Sequence, residues 1–386
     1  NDRAATFRAL LNTGYAVQIR SGRRGYQSLD AGLQLEVDVP RLLVPGIGYT
    51  WFRKKGTIPL TMIRAGYTYF LRSNLFTAHS VDASFGYRWA PSPTLHHELR
   101  VIAVDYTRLN IVEDGLTEND TGRLRLRDEL ISVLRYDFTL NNLARKRTTN
   151  IYTQFSIETA GNLPGLFTLL GAGRSETGEP ATIAGVPYSN YGRISEDFRF
   201  YYHPAENNSL VTRLFAGLGI PYGNSDRLPY KRQFFAGGVS SLRSFPVRGI
   251  GPGSYEPPDT LSGLSYLYQV GDIRLEANIE YRFPVVSVVK GAIFADAGNV
   301  WLYNRDPLLP GGQFAFSEFI SQLGMGTGLG IRLDLTILVL RLDVAFPLRK
   351  PFLPEGDRWV FDRIDFTNPE WRKDNLVFNL AIGYPF

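Results

Sequence analysis

Apolar and polar residues alternate along most of the chain, in segments of about ten residues separated by turn residues. Successive side chains of a β-strand point to opposite faces, so the alternation predicts strands with one apolar and one polar face. The pattern is clearest from Asp272 to Val285, where Asp, Arg, Glu and Asn occupy every second position up to Arg282. About fourteen such segments are predicted: Thr6–Ile19, Ser28–Leu43, Pro59–Arg72, Leu75–Ala90, His96–Ile111, Asp128–Leu140, Thr148–Ala160, Tyr191–His203, Ser209–Pro221, Gly271–Val285, Val288–Leu302, Ser321–Leu335, Thr336–Leu348 and Leu376–Phe386.

Charged residues recur two positions apart on the polar faces of several segments. The pairs are Arg135/Asp137, Asp197/Arg199, Arg332/Asp334 and Arg341/Asp343. In a soluble β-sandwich, a charged face of this kind meets solvent, and the connections are usually short at both ends. A membrane barrel instead turns its polar face towards an internal lumen and its apolar face towards lipid. The recurring charges therefore favour the wall of a lumen.

The connections between the segments alternate in length, as they do in outer-membrane barrels. Long connections are 161–190, 222–270, 303–320 and 349–375, and short ones are 141–147, 204–208, 286–287 and the junction at 335–336. The alternation fails near the N-terminus, where 44–58 is longer than expected. The predicted fold is all-β, a transmembrane antiparallel β-barrel that spans residues 1–386 as one domain.

Composition agrees with this fold and excludes several other classes of protein. The 386 residues include no cysteine and have a net charge of +5, and their mean hydropathy is −0.13. No apolar run reaches the roughly 18 residues of a membrane helix. Basic residues form no block, which gives no nucleic-acid signal. Because the chain begins at Asn1 without a signal peptide, we expect a processed or trimmed product.

The sequence carries no recognisable catalytic or metal-binding motif. His79, His96, His97 and His203 lack metal-ligand spacing, and His96-His97 falls at a predicted turn. The glycines of 326–330 lie inside a predicted strand, where they permit bending or close backbone approach instead of nucleotide binding. We therefore predict no enzyme activity, no metal and no cofactor.

The long connection 222–270 contains the most distinctive stretch, Phe234–Tyr255, which is rich in glycine, proline, arginine and aromatic residues. It resembles the sixth extracellular loop of the BamA/TamA superfamily of outer-membrane assembly factors, most closely the lipoprotein-type TamA relatives of Bacteroidota. The matching residues are Gly237-Gly238, Ser240, Leu242-Arg243-Ser244-Phe245 and Gly251-Pro252. Ser244 replaces the usual glycine. Val247-Arg248-Gly249 also spells the family tripeptide, but the spacing to Gly251-Pro252 places the motif arginine at Arg243.

The resemblance implies that this loop folds into the barrel lumen and that Arg243 meets acidic partners on the two following strands. These partners map to Glu280 and Asp296. The alternation places Glu280 on the polar face, whereas Asp296 shares its face with both Lys290 and Phe294. The alternative is that the three residues are independent lumen charges.

The resemblance also implies a function. It suggests a factor in the Gram-negative outer membrane that inserts or assembles other outer-membrane proteins through a seam between its first and last strands. The expected partners are lipid and lipopolysaccharide, unfolded clients, and accessory lipoproteins or periplasmic subunits. Seam residues on the last strand are Phe378, Gly383, Tyr384, Pro385 and Phe386, with Phe386 as an assembly signal on the same face as Phe378. A passive channel or secretion pore of the same superfamily is the alternative, and a soluble β protein is a third possibility.

The family has sixteen strands, and about fourteen are visible in this chain. Gly14-Tyr15-Ala16-Val17 resembles the family's third strand, which leaves two strands and periplasmic repeat domains upstream. On this interpretation Thr6–Ile19 does not pair with Leu376–Phe386. The structure should then show a gap, an inward-curled last strand or another chain's strand at the seam.

Overall fold

The computed structural model describes one antiparallel sheet of fourteen strands and a separate two-stranded hairpin. The residues described are 4–18, 26–43, 59–72, 75–112, 127–145, 147–163, 165, 180–205, 207–257, 265–335 and 338–386. The predicted connection 44–58 and residue Thr336 lie outside them. None of the helices among the described residues has the length and apolar character needed to cross a membrane.

In the large sheet, the strands lie side by side in the order in which they occur along the chain. Each strand is hydrogen-bonded to the next as an antiparallel neighbour. They are β1 Thr6–Gln18, β2 Tyr26–Val39, β3 Leu60–Arg72, β4 Phe76–Ser92, β5 Leu95–Ile111, β6 Glu129–Asn141, β7 Thr149–Ala160, β10 Tyr191–Ala205, β11 Asn208–Pro221, β12 Ile273–Val286, β13 Val289–Trp301, β14 Gly324–Asp334, β15 Val339–Arg349 and β16 Val377–Ile382. The separate hairpin is β8 Thr182–Ile183 with β9 Val186–Pro187. Two short α-helices, α1 Ser265–Tyr268 and α2 Pro369–Asn375, lie between strands.

The chain forms two compact units. The first contains residues 1–140, 155–194 and 220–230, and the second contains 141–154, 195–219 and 231–386. The first unit holds an apolar cluster that includes Ile131, Tyr191 and Leu228. It also holds a network of charges in which Arg64 binds Glu36 and Glu98.

In the second unit, strands β12–β16 bury most of their charged residues and expose most of the apolar residues on the opposite face, although Phe294, Val300 and Trp301 of β13 are buried. On β14, Leu329 is 62% exposed and Ile331 56%, whereas the adjacent Arg332 is 0% exposed. On β15, Leu340 and Leu342 are exposed while Arg341 and Asp343 are buried. We call these two sides the apolar face and the polar face. Soluble proteins place such side chains the other way round, so the arrangement fits strands with lipid on one side.

The prediction for β14 and β15 was wrong at their ends. β14 begins at Gly324 because residues 319–322 form a 3₁₀ helix, in which the side chain of Gln322 accepts a hydrogen bond from the Trp301 indole at 2.6 Å. β14 ends at Asp334 and β15 begins at Val339, and the predicted junction at 335–336 reaches outside the described residues. The backbone N–H of Leu335 donates to the carbonyl of Leu338 at 2.9 Å.

The prediction for the last strand was also wrong at its end, because the alternation does not continue to Phe386. β16 ends at Ile382, and Gly383 follows with a φ of +90°. This left-handed conformation favours glycine and turns the chain out of the strand. Phe378 stays exposed on the apolar face, whereas Pro385 and Phe386 are buried.

The predicted turn at His96-His97 was also wrong, because both histidines lie within β5. His97 stacks on Trp89 with 5.0 Å between ring centroids, and its Nδ1 lies 2.8 Å from the Tyr136 hydroxyl. The predicted lack of a ladder between Thr6–Ile19 and Leu376–Phe386 stays a prediction.

Candidate functional site: an arginine cluster under the long loop

Residues 222–272 connect β11 to β12 and are called the long loop below. Its described part is folded, with isolated β-bridges from Phe234 to Gly271 and from Ala236 to Ile250. Its apolar side chains form a core against Val300 of β13, and this core consists of Phe234, Ala236, Leu242, Phe245, Ile250 and Val300. Burial of these side chains holds the loop on the sheet, so the described part of the loop is not a solvated linker.

Arg243 lies at the centre of the site, between two strands. Its backbone N–H, Nε and Nη2 donate to the carboxylate of Asp296 at 3.0, 2.9 and 2.8 Å, and its Nη1 donates to Glu280. Its guanidinium carbon lies 3.5 Å from the ring centroid of Phe294. The structure thus brings together Arg243 and both carboxylates that the sequence analysis named, with no solvent exposure of the arginine.

The strand register explains why both carboxylates reach one arginine. Asn278 of β12 lies opposite Asp296 of β13, and Glu280, two residues further along β12, lies opposite Phe294. Glu280 and Asp296 are therefore diagonal neighbours on one face, at a spacing that a single guanidinium can bridge. The Asn278 amide also donates to Asp296 at 3.0 Å. Phe294 lies on the polar face as well, and its ring covers the guanidinium of Arg243 there.

Arg248, in the second copy of the tripeptide, lies elsewhere. Its backbone has a φ of +55°, and its N–H donates to the Ala236 carbonyl at 3.0 Å. Its guanidinium carbon is 5.1 Å from the centroid of Phe235. The spacing to Gly251-Pro252 therefore selected the arginine that contacts both carboxylates.

Further arginines, which the sequence analysis did not assign to this site, complete the cluster. Glu280 accepts from Arg282 at 2.7 Å and from Arg332 at 3.1 Å, and Arg332 also pairs with Asp343. Arg341 donates to the carbonyl of Val239 in the long loop at 2.6 Å. The recurring Arg and Asp residues of β14 and β15 indicated in the sequence that these side chains lie on the polar face. The alternation predicts the face on which a side chain lies, but it does not predict which residue the side chain contacts.

Ser244, which replaces the family glycine, sits against a glycine of β14. A Cβ at Gly326 would collide with the Ser244 side chain and would lie 2.9 Å from the Phe346 carbonyl oxygen. The Ser244 hydroxyl is buried and has no hydrogen-bond partner among the described residues. On the same strand, a Cβ at Gly328 would lie 2.6 Å from the Phe294 ring. The glycines of β14 thus provide the close approach that the sequence analysis predicted.

Gly251 and Pro252 hold the far end of the motif against β13. Gly251 has a φ of +85°, and a Cβ there would lie 2.6 Å from the Val300 side chain. The next residue, Gly253, donates its N–H to the Val300 carbonyl at 2.7 Å, and its own carbonyl accepts from the Asn299 amide at 2.8 Å. Only glycine fits this backbone conformation so close to a neighbouring strand.

The last strand contacts the same cluster, which the sequence analysis did not foresee. The side-chain amide of Asn379 in β16 donates to the backbone carbonyl of Arg243 at 2.9 Å. Beyond Gly383, the Phe386 ring packs on Tyr201 and Val211, and its centroid lies 5.5 Å from the Arg243 guanidinium carbon.

Tyr384 lies beside a second, smaller group of charges. Its hydroxyl donates to Asp334 at 3.3 Å, and the Arg282 guanidinium carbon is 4.4 Å from its ring centroid. Lys290 also binds Asp334, at 3.0 Å. The short tail after Gly383 therefore lies on the polar face and is held there by cation–π contacts and by the hydrogen bond from Tyr384 to Asp334.

The chemistry of this arrangement is that of a buried ion cluster. Each carboxylate is held by arginines, which stay protonated in proteins, so neither is a free base. Across the residues that the structure describes, no group of three or more His, Asp or Glu side chains is placed to hold a metal ion. The cluster is suited to holding a loop and a strand in one geometry.

Comparison with known proteins identifies the family. The chain is 23% identical over 205 residues to the outer membrane protein assembly factor BamA of Neisseria meningitidis serogroup B, a match covering 48% of this chain and 25% of the relative. The chain thus spans about a quarter of that relative's length. The crystal structure of BamA from Haemophilus ducreyi lacking POTRA domains 1–3 is similar, with a TM-score of 0.55 and 16% identity over 89% of this chain and 67% of that one. CdiB from Acinetobacter baumannii has a TM-score of 0.49 and 11% identity over 97% of this chain and 53% of its own.

The likeness to the Haemophilus structure shows a BamA-like fold. The model of the Omp85 superfamily domain matches residues 80–386, most of the chain. Members of this family such as BamA are outer-membrane β-barrel proteins of Gram-negative bacteria with assembly roles and no enzymatic activity. The chain belongs to the Omp85 superfamily.

Proposed function

We propose that this protein inserts or assembles other outer-membrane proteins, and that its last strand is where the client pairs. Family membership supports an outer-membrane assembly role in general. The Gly251-Pro252-Gly253-Ser254-Tyr255 pattern supports a place among the lipoprotein-type TamA relatives. Its partners on this proposal are unfolded clients, outer-membrane lipid and lipopolysaccharide, and accessory lipoproteins or periplasmic subunits.

The single observation that carries the proposal is the state of β16. This strand has six residues and pairs with β15, and it has no second neighbour among the described residues. Gly383 then diverts the chain before the ladder can lengthen. An edge of this kind offers unpaired N–H and C=O groups, which template the addition of another strand.

The arginine cluster supports this function by holding the long loop in place. On the proposal, the loop lies in the barrel lumen and Arg243 anchors it to β12 and β13. The contact of Asn379 with the Arg243 carbonyl joins the pairing strand to the anchored loop. No step requires bond chemistry, because strand addition exchanges hydrogen bonds.

The test is capture of a client strand in vesicles. The chain has no cysteine, so Leu380→Cys on β16 and Leu329→Cys on β14 each introduce a single thiol on the exposed apolar face. A small unfolded outer-membrane barrel with one cysteine on its edge strand is then added. We expect faster client folding than in empty vesicles. After a mild oxidant is added to accept the two electrons, we expect a disulfide between the client and Leu380→Cys but not between the client and Leu329→Cys.

Equal cross-linking at both positions, or no acceleration of folding, would contradict the proposal. Conductance across a planar bilayer tests the other role considered for the chain. Large, stable openings without client folding would identify a passive channel or secretion pore. Small or transient conductance with client folding supports the assembly role.

A further inference from the structure

Arg341 of β15 is buried on the polar face with part of its guanidinium unpaired. The residue is 1% exposed, and its Nη2 donates to the carbonyl of Val239 in the long loop at 2.6 Å. Its Nη1 and Nε have no hydrogen-bond partner among the residues that the structure describes. A buried donor without a partner destabilises a fold, and a charged donor does so more strongly. The side chain of Arg341 therefore needs a further acceptor.

A second buried arginine lies directly opposite Arg341 in the sheet. It is Arg332 of β14, which has no exposed surface. Like charges directly opposite each other on neighbouring strands are destabilising. The carboxylate of Asp343 lies between them. Its Oδ1 accepts from Arg332, and its Oδ2 lies 3.3 Å from the Nε of Arg341 without forming a hydrogen bond. One carboxylate thus serves two arginines.

The arginine cluster has one more positive charge than negative charge when its described residues are counted. Four arginines are joined by ion pairs to three carboxylates, which are Arg243, Arg282, Arg332 and Arg341 with Glu280, Asp296 and Asp343. Glu280 and Asp296 are bound by arginines other than Arg341. Neither of these two carboxylates is therefore available to balance Arg341.

Groups next to the cluster do not supply the missing negative charge. Lys290 and Asp334 form an ion pair that is neutral as a whole. A backbone oxygen of Phe386 accepts from Arg282 at 3.5 Å, so it serves that arginine. The unbalanced charge therefore lies at Arg341.

We propose that Arg341 binds a small monovalent anion, chloride, which accepts a hydrogen bond from its Nη1. A monovalent ion matches the excess of one charge, and the burial of the arginine favours a small ion. The bound anion would offset the repulsion between Arg332 and Arg341. Because Arg341 also holds the carbonyl of Val239, anion binding stabilises the long loop on the sheet. This site does not depend on the pairing of a client strand.

Urea unfolding of the full chain at constant ionic strength tests the site. Sodium chloride is exchanged stepwise for sodium gluconate, whose anion is too large for a buried position. A ligand that binds only the folded state raises the folding equilibrium constant in proportion to its concentration above Kd. We expect about a tenfold rise for each tenfold increase in chloride above Kd, and bromide should act in the same way.

Two variants should shift the chloride dependence in opposite directions. Arg341→Gln removes the positive charge and should abolish the dependence. Asp343→Asn removes the competing negative charge and should lower the chloride concentration of half-maximal effect by at least about tenfold. Arg88→Gln is the matched control, because Arg88 belongs to the charges of the first unit, and it should keep the dependence of the unaltered chain.

The outcomes decide between a specific site and a general effect of salt. The proposal is overturned if the unaltered chain shows no chloride dependence or if Arg341→Gln retains it. A higher chloride requirement in Asp343→Asn also overturns it, and this variant decides alone if Arg341→Gln does not fold. Chloride NMR gives a direct measurement, in which the unaltered chain should broaden the chloride line more than Arg341→Gln. Equal broadening would show that chloride binds elsewhere on the protein.

Discussion

Two groups of charges on the polar side of the strands, one in each compact unit, differ in how they are buried. In the first unit, Arg88 binds Glu98 and Glu36 at 3.2 and 3.4 Å, and its side chain is 28% exposed. In the second unit, Arg243 contacts Asp296 and Glu280 with no exposed side-chain surface. The strand pattern is the same in both units, so the difference comes from the long loop that supplies Arg243.

The comparison shows that alternation alone does not determine what a charge contributes. Exposed ion pairs are screened by water and salt and stabilise a protein little. A fully buried carboxylate has lost its hydration and depends on its partner. When a loop covers the charged face of a strand, the ion pairs on that face become buried. The stability of the fold then depends on those ion pairs.

The largest effect is expected from Arg243→Ala, which should lower the free energy of unfolding by about 3–5 kcal/mol. Within the described part of the chain, Arg243 is the only basic side chain paired with Asp296. Its removal leaves that carboxylate buried without a counter-charge, with only the Asn278 amide and the backbone N–H of residue 243 as donors. Heat-modifiable gel mobility and urea unfolding of the folded protein measure the loss.

Arg248→Ala is the matched control, since Arg248 lies five residues away and contacts neither carboxylate in the structure. It should change the unfolding free energy by less than about 1 kcal/mol. If Arg248→Ala were the damaging variant and Arg243→Ala were silent, the motif register that assigns the family arginine to position 243 would be wrong.

The next effect is expected from Phe386→Ala, at about 3 kcal/mol, because a buried ring is removed from its contacts with Tyr201 and Val211. Phe378→Ala removes the same ring from an exposed position of β16 and should cost far less. Urea unfolding of the purified protein gives both values, and the amount of folded protein in cells shows whether Phe386 is also an assembly signal. Equal stability of the two variants would contradict the buried position of Phe386.

A smaller loss, about 2 kcal/mol, is expected from Gly326→Ala, because the new methyl group meets Ser244. The double variant Gly326→Ala/Ser244→Gly should recover most of it, and the Phe346 carbonyl should account for the rest. Gly192→Ala is the control, since nothing lies within 4 Å of a Cβ there. Losses that simply add in the double variant would show that the two positions are not coupled.

The smallest effect, about 1 kcal/mol, is expected from Arg88→Ala, because Glu36 and Glu98 keep their contacts with Arg64. This loss should shrink further as the salt concentration rises, whereas the loss from Arg243→Ala should persist. Urea unfolding at low and high salt compares them. A salt-independent loss at Arg88 would mean that the two groups of charges do not differ as described.

Period-two alternation was sufficient to predict the approximate positions of the strands and the face of Glu280, because it reports directly on side-chain direction. It left Asp296 ambiguous, since Phe294 shares its face and an aromatic residue was expected on the other side. The missing information was the cation–π contact with Arg243, which makes an aromatic ring compatible with a charged face.

Contacts between distant segments could not be predicted from periodicity. The bond from Asn379 to the Arg243 carbonyl joins positions 136 residues apart, and asparagine at a polar-face position has many possible partners. The end of β16 was missed for a related reason. Gly383 fits a strand in the sequence, and only its backbone conformation shows that the chain turns there.

The hydrogen bond from Asn379 to the Arg243 carbonyl couples two equilibria, which are the pairing of β16 with β15 and the binding of the long loop to the sheet. When β16 leaves β15, this bond is lost, so a well-seated loop holds the strand back. Thermodynamic linkage requires the converse in equal measure. On the proposed function, a client strand whose pairing draws β16 away from β15 would lower the affinity of the loop for the sheet by the same factor. A ligand that tightens the loop would then raise the free energy that client pairing must supply.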